Sequence, residues 1–236
     1  MHVAEIWRYP VKSMRGERLE EAELLAAGIP GDRVVQVHAP DGRVITARNY
    51  PELLGLSGTL GADGEPLVDG LPWRDPCTLR AVRLRAWDGA SLARGAEVDR
   101  FDVLPITIAT DGAAAAMSID PRRLRPNVVV AGVEGLAERD WPGRRIHVGT
   151  AVLQVVKLRS RCVMTNFDPD TLEPDPSVLR RIVEDFDDLA ALDCSVLEPG
   201  LIAAGDEVVL GVAEADVGQD PAEPAGTRPG PVSEDP

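Results

Sequence analysis

Two short β-branched runs, RVVQVHA and RVITA, face each other across Asp41-Gly42. An Asp-Gly pair between alternating apolar segments signals a tight hairpin, because the turn needs backbone angles that Gly adopts freely and Asp tolerates. The rest of the chain keeps to the same scale. VAEIWRY alternates and stops at Pro10, and DVLPITIAT, NVVVAG, RRIHVG, AVLQVVKL and DEVVLG follow as further short apolar runs. LRAVRLRAW also alternates, with Leu79, Val82, Leu84 and Trp87 apolar, and reads as a strand. A chain that divides its apolar residues among many short strands with Gly- and Pro-rich turns builds barrels or sandwiches. The expected fold class is therefore mainly β, rich in barrel structure, with few helices.

Two helices are expected. TDGAAAAMSI forms a short one after Thr110 or Asp111 as N-cap. PSVLRRIVEDFDDLAAL, residues 176–192, places Val178, Leu179, Ile182, Val183, Phe186 and Leu189 at helical spacing, with Pro176 near its start. Residues 213–236 carry six acids against Arg228 and many Pro, Gly and Ala residues, and read as a disordered acidic tail.

Charge decides where a functional site can lie. The chain of 236 residues has a formal net charge of -14, so most of its surface repels nucleic acid and anionic lipid. A basic site must then be a local pocket. No apolar run reaches the roughly 18 residues of a membrane span, and MHVAEIWRYPVKS lacks the pattern of a signal peptide. Cys77, Cys162 and Cys194 are widely spaced and give no disulfide or zinc framework. These features predict a reduced, cytoplasmic protein. No G-x-G-x-x-G or P-loop occurs, and GADGEP (61–66) reads as a turn.

The informative stretch is KLRSRCVMTNFDPDT, residues 157–171. Cys162 follows Lys157, Arg159 and Arg161 at the end of an apolar strand. Cationic neighbours favour a thiolate, the form that attacks or binds a soft metal, although a lone cysteine is most often an inert buried hydrophobe. Cys77 reads as a packing residue, and Cys194 as the end of the last helix. Asp168 and Asp170 read as a turn. Elsewhere YPVKSMRG places Lys12 and Ser13 just after a strand, GIPGDR places Arg33 after a turn, and RRLRPN places Arg125 and Asn127 before one. If these converge, they form a phosphate site.

YPVKSMRG, GIPGDR, LRPNVVV, AERDW, SRCVMTNFDPDT and EPGLIAAGDEV occur in the order seen in the MOSC family, the molybdenum cofactor sulfurase C-terminal domain. The resemblance covers about residues 2–211, and the arrangement looks most like the mitochondrial amidoxime-reducing components and their bacterial relatives. It implies a MOSC N-terminal β-barrel domain over residues 1–105 and a MOSC domain over 106–212. It implies the molybdenum cofactor, with Cys162 as catalytic residue and metal ligand. Lys12, Ser13 and Arg33 match positions that hold the phosphate end of the pterin. Arg125, Asn127, Ser160 and Arg161 match further cofactor-contacting positions.

The implied activity is reduction of an N-hydroxylated or related N–O small molecule. Electrons would come from a separate reductase or ferredoxin-like partner, with no nucleic acid or membrane partner. Two other readings stand beside it: a sulfur-transfer or C–S-processing enzyme using Cys162 as a persulfide carrier, and a non-catalytic cofactor-binding module. The chain departs from the family pattern at DGAAAA, where Ala113 and Ala114 replace a Ser-containing segment. It departs again at ALDCSV, where Cys194 stands among positions that line the pocket in relatives.

Overall fold

The computed structural model describes residues 1–95 and 100–213; the expected tail therefore lies outside the described residues, Ala213 excepted. The elements in chain order begin with β1 (His2–Arg8), β2 (Glu17–Leu19), β3 (Glu21–Leu24), β4 (Val35–His38) and β5 (Val44–Ile45). Next come β6 (Gly58–Leu60), β7 (Pro66–Val68), β8 (Leu71–Pro72), α1 (Pro76–Arg85), β9 (Ser91–Arg94), β10 (Ile106–Thr110), α2 (Asp111–Met117) and β11 (Val128–Ala131). The last are β12 (Arg144–Val148), β13 (Ala151–Ser160), α3 (Pro176–Phe186), β14 (Leu189–Glu198), β15 (Gly200–Ala203) and β16 (Val208–Ala213). The fold is mainly β, as the short apolar runs predict.

The largest sheet has eight strands in the order β16-β12-β13-β14-β10-β11-β1-β2. His2 bridges to Glu207, Val3 N–H donates to Asp206 O at 2.9 Å and Val208 N–H to Met1 O at 2.9 Å, so the sheet curls back and closes on itself. Closure removes the exposed edges that an open sheet would leave. Ile6, Ile106, Ile108, Ile146 and Leu153 fill the interior. β12 turns into β13 through Gly149 at φ 54, where a Cβ would run into the Leu201 carbonyl. Beside this barrel sit three-stranded sheets β5-β4-β9 and β6-β7-β8, with their own core around Met14, Val35, Val37, Leu53 and Leu56. The expected hairpin is β4–β5, with Gly42 at φ 81. β1 and β2 join the large sheet and β15 pairs with β3, so the sheets cross the expected division at residue 105.

The structure corrects two elements. Residues 76–85 form α1, not a strand. Asp75 caps it by accepting the Cys77 N–H at 2.7 Å, with Pro76 in the first turn. Leu79, Val82 and Ala86 are spaced by three and four, which fits one helical face and breaks strict alternation, and the cap agrees with it. Cys77 is exposed at that cap rather than packed. Helix α3 stops at Phe186, not 192, because Asp187 and Asp188 take left-handed angles (φ 57 and 62). The chain then enters β14, where Leu192 pairs with Leu158. Helix α2 forms as expected, with the Thr110 hydroxyl accepting the Ala113 N–H at 3.1 Å. Among the described residues no helix is long and apolar enough to cross a membrane.

Candidate functional site

A cavity of about 320 Å³ opens where the barrel meets the smaller sheets. Lys12, Ser13, Arg33, Thr46 and Arg48 line it from the first part of the chain, and Arg125, Arg159, Ser160, Arg161 and Cys162 from the second. The connector Phe101–Leu104 passes along it. Of the cofactor-contacting and metal-binding residues that the resemblance implies, Asn127 alone does not line the cavity.

The backbone aims Lys12, Ser13, Arg33 and Arg125. Ser13, Arg33 and Arg125 adopt positive φ (69, 53 and 51), a region that costs non-glycine residues energy and so needs support. Lys12 N–H donates to Val35 O at 2.9 Å, and Arg33 N–H to Tyr9 O at 2.7 Å. Arg125 ends the short 3-10 turn Pro121–Leu124, and its Nη2 donates to Met14 O at 2.8 Å. The Tyr9 ring carries both guanidinium groups, Arg125 at 4.3 Å and Arg33 at 4.9 Å from its centroid.

Behind the wall lies Asp32, fully buried. Its carboxylate accepts the Tyr9 N–H at 2.7 Å and the Asn127 side chain at 3.2 Å, and pairs with Arg33. Asn127 is also fully buried; its oxygen accepts the Thr107 N–H at 3.1 Å and its nitrogen also reaches Trp7 O at 3.3 Å. Direct contact between Asn127 and a ligand is therefore not what the structure shows. Asn127 holds Asp32, which holds Arg33.

Cys162 stands just past the end of β13, half-exposed, and begins the 3-10 turn Val163–Asn166. Its carbonyl accepts the Thr165 N–H at 3.0 Å and the Thr165 hydroxyl at 2.9 Å, which fixes the turn. Arg161 Nη2 donates to Leu124 O at 2.7 Å, yet its buried Nε and Nη1 have no partner. Burial pushes the Arg161 guanidinium down to about 10, with the Arg159 charge adding to the effect. Burial likewise pushes Arg125 down to about 10. Arg159 itself pairs with buried Asp193.

The sequence alone gives no role to Arg48, Asp32 or Asp102, and marks Arg159 only as a cationic neighbour of Cys162. Arg48 ion-pairs with Asp102 and shares the cavity wall with Cys162; burial works to lower its pKa, but the Cys162 thiol and the Asp102 charge raise it. A basic residue closing an apolar run in an acidic chain, as in ITAR, was the available signal. Cys194 is corrected: it is fully buried in the barrel core on β14, away from the cavity, and burial pushes its thiol well above the usual range. Ala113 and Ala114 pack in the interior and do not reach the cavity, so their missing hydroxyls remove nothing from its wall.

Six cations thus face three carboxylates (Asp32, Asp102 and Asp193), which favours an anionic ligand. Among the described residues no three His, Cys, Asp or Glu side chains converge to hold a metal. A metal on the Cys162 sulfur must bring its other donors on a bound molecule. The residues fit an anionic organic ligand carrying a thiophilic metal.

A β-barrel protein with a cation-lined, single-thiol cavity is the class these features define. The MOSC N-terminal beta barrel domain model matches residues 1–101 and the MOSC domain model residues 107–209. The chain belongs to the MOSC family. Human mitochondrial amidoxime-reducing component 1 is 25% identical over 229 residues, covering 72% of this chain and 67% of that protein. Rat mitochondrial amidoxime reducing component 2 is 27% identical over 231 residues, covering 72% and 67%. The crystal structure of the YuaD protein from Bacillus subtilis aligns with a TM-score of 0.49 at 18% identity, covering 89% of this chain and 96% of that one.

Proposed function

We propose that the protein binds the molybdenum cofactor in this cavity and reduces N-hydroxylated or related N–O small molecules. One observation carries the reading: two buried Arg161 donors without partners lie beside the only thiol on the wall. A buried guanidinium in that state costs stability, and an anionic ligand is what would recover it. The relatives' names, amidoxime-reducing components, supply the substrate class.

Lys12, Ser13, Arg33 and Arg125 would hold the anionic phosphate end through charged donors and a hydroxyl. Ser160 and Arg161 would hold the part nearest the metal, and the Cys162 sulfur would be the protein's ligand to molybdenum. The bound cofactor supplies two-electron redox chemistry. Reducing N–OH to N–H consumes two electrons and two protons and releases water. With no iron–sulfur cysteine spacing in the chain, the electrons come from a separate reductase or ferredoxin-like protein.

The test is elemental analysis of protein made in a host that synthesises the cofactor, beside a Cys162→Ser control. Near-stoichiometric molybdenum, lost in the control together with amidoxime turnover by a reduced dye, is the expected result. Folded wild-type protein without molybdenum would overturn the reading and favour a persulfide on Cys162, which mass spectrometry detects.

A further inference from the structure

Lys12 and Arg48 enter the cavity from different loops, and both end on one carboxylate. Asp102 Oδ1 lies 2.9 Å from Lys12 Nζ, and Oδ2 lies 2.7 Å from Arg48 Nη2. The other two carboxylates at the site differ from it in kind. Asp32 and Asp193 are fully buried behind the wall, whereas the Asp102 side chain is 36% exposed and stands on the cavity side. Asp102 also belongs to the connector between β9 and β10, not to the elements that aim the cations.

The connector is anchored next to it. Arg100 donates to the Asp32 carbonyl from Nε at 3.1 Å and Nη2 at 2.5 Å, which ties residue 100 to the site's floor. Asp102 is thereby held close to Lys12 and Arg48 at the high effective concentration of a tethered group. Burial works to raise its pKa, but the Lys12 hydrogen bond and the charges of Lys12 and Arg48 hold it below the ordinary carboxylate range.

We propose that the Asp102 carboxylate is an internal stand-in for the ligand's anionic group. It occupies Lys12 and Arg48 in the ligand-free chain and yields them when a phosphate-bearing ligand enters. The proposal rests on the cavity being an anion site, as argued above, and adds the residue that sets which anions are admitted. A carboxylate offers one negative charge and two oxygens. A phosphate monoester offers nearly two charges and three terminal oxygens, and can outcompete it. A singly charged anion gains nothing by the exchange, so Asp102 screens against carboxylates and similar monoanions. Exchange of one anion for another also leaves the cations paired at every stage, which spares the ligand-free protein a cluster of unpaired charge.

The experiment is calorimetric titration of the full chain, purified without cofactor, with inorganic phosphate and separately with acetate at fixed ionic strength. Wild type is compared with Asp102→Asn and Asp102→Ser, each checked by circular dichroism and thermal melting. Both variants are expected to bind phosphate at least tenfold more tightly than wild type and to gain measurable acetate binding. The gain should vanish when Lys12→Met is added, as required of groups coupled through direct contact. Equal or weaker phosphate binding by both variants would overturn the proposal and make Asp102 a brace for Lys12 and Arg48. Absence of phosphate binding by all the proteins would overturn it as well. Molybdenum content, measured separately, reports on the cofactor reading alone.

Discussion

The Asn127 side chain donates to the Asp32 carboxylate at 3.2 Å, across 95 positions of sequence and behind the cavity wall. That bond links the R-P-N segment before β11 to the G-D-R turn that carries Arg33. Asn127→Ala leaves the Thr107 N–H without its acceptor and removes one donor from buried Asp32. Each buried group left unpaired costs about 1–3 kcal/mol. The variant is expected to lose roughly 2–4 kcal/mol in urea unfolding with an unchanged m-value. A loss near zero would show that Asn127 does not support the site.

Arg161 sets stability against binding. Its Nε and Nη1 are buried and unpartnered, and burial pushes its pKa down to about 10. Removing a desolvated, half-satisfied cation relieves the ligand-free chain, as often happens at functional sites. Arg161→Met is expected to raise ligand-free stability by about 1 kcal/mol and to weaken phosphate binding at least tenfold. Melting temperature and titration calorimetry read the two effects separately. Destabilisation with unchanged binding would assign Arg161 to the fold.

Glu138 makes a pH-dependent case in the barrel. It is buried, accepts the Thr110 hydroxyl at 3.3 Å, and burial raises its pKa despite that bond and the Arg139 charge. A carboxyl whose folded pKa is raised contributes fully below its unfolded value, and the contribution is lost as pH rises through the folded one. At pH 7, above the unfolded value, the folded chain is therefore less stable than it would be with a permanently neutral side chain at this position. Glu138→Gln is expected to gain about 1 kcal/mol at pH 7, roughly 2–4 °C in Tm, with the gain shrinking toward pH 4. A gain independent of pH would assign it to packing instead.

What could be read from sequence was local. Asp41-Gly42 announced its hairpin because turn chemistry lies within four residues, and Thr110 announced its helix for the same reason. The closure of the barrel through His2 and Glu207 joins residues 205 positions apart, and no local pattern encodes it. α1 reads as a strand because Val82, Leu84 and Ala86 alternate, yet the steps of three from Leu79 to Val82 and from Leu84 to Trp87 belong to a helix, and Asp75-Pro76 supplies its cap. α3 was read too long because the apolar pattern runs smoothly across Asp187-Asp188, whose left-handed angles end the helix. The site behaved alike. Residues in compact motifs, such as Lys12-Ser13 and Arg161-Cys162, were found and do converge. Arg48 and Asp102 look like ordinary surface charges until the fold brings them together, and the burial of Asn127 is a property of packing.

Asp111 ties the start of α2 to the loop after β11. Its carboxylate accepts the N–H groups of Gly112 at 2.8 Å, Gly132 at 2.8 Å and Val133 at 3.0 Å. Burial acts to raise its pKa, but the three backbone donors outweigh it and hold the group below the ordinary carboxylate range. A depressed carboxylate pKa contributes stability that is present above the unfolded value and lost as pH falls through the folded value. Asp111→Ala removes an acceptor for two segments at once, comparable to losing a helix cap, and is expected to cost about 1–2 kcal/mol at pH 7. Below about pH 4, where the carboxylate of an unfolded chain is already protonated, the difference from wild type should narrow. Urea unfolding at pH 7, 5, 4 and 3 measures this. A penalty that stays constant down to pH 3 would show that the side chain acts through packing and not through its charge.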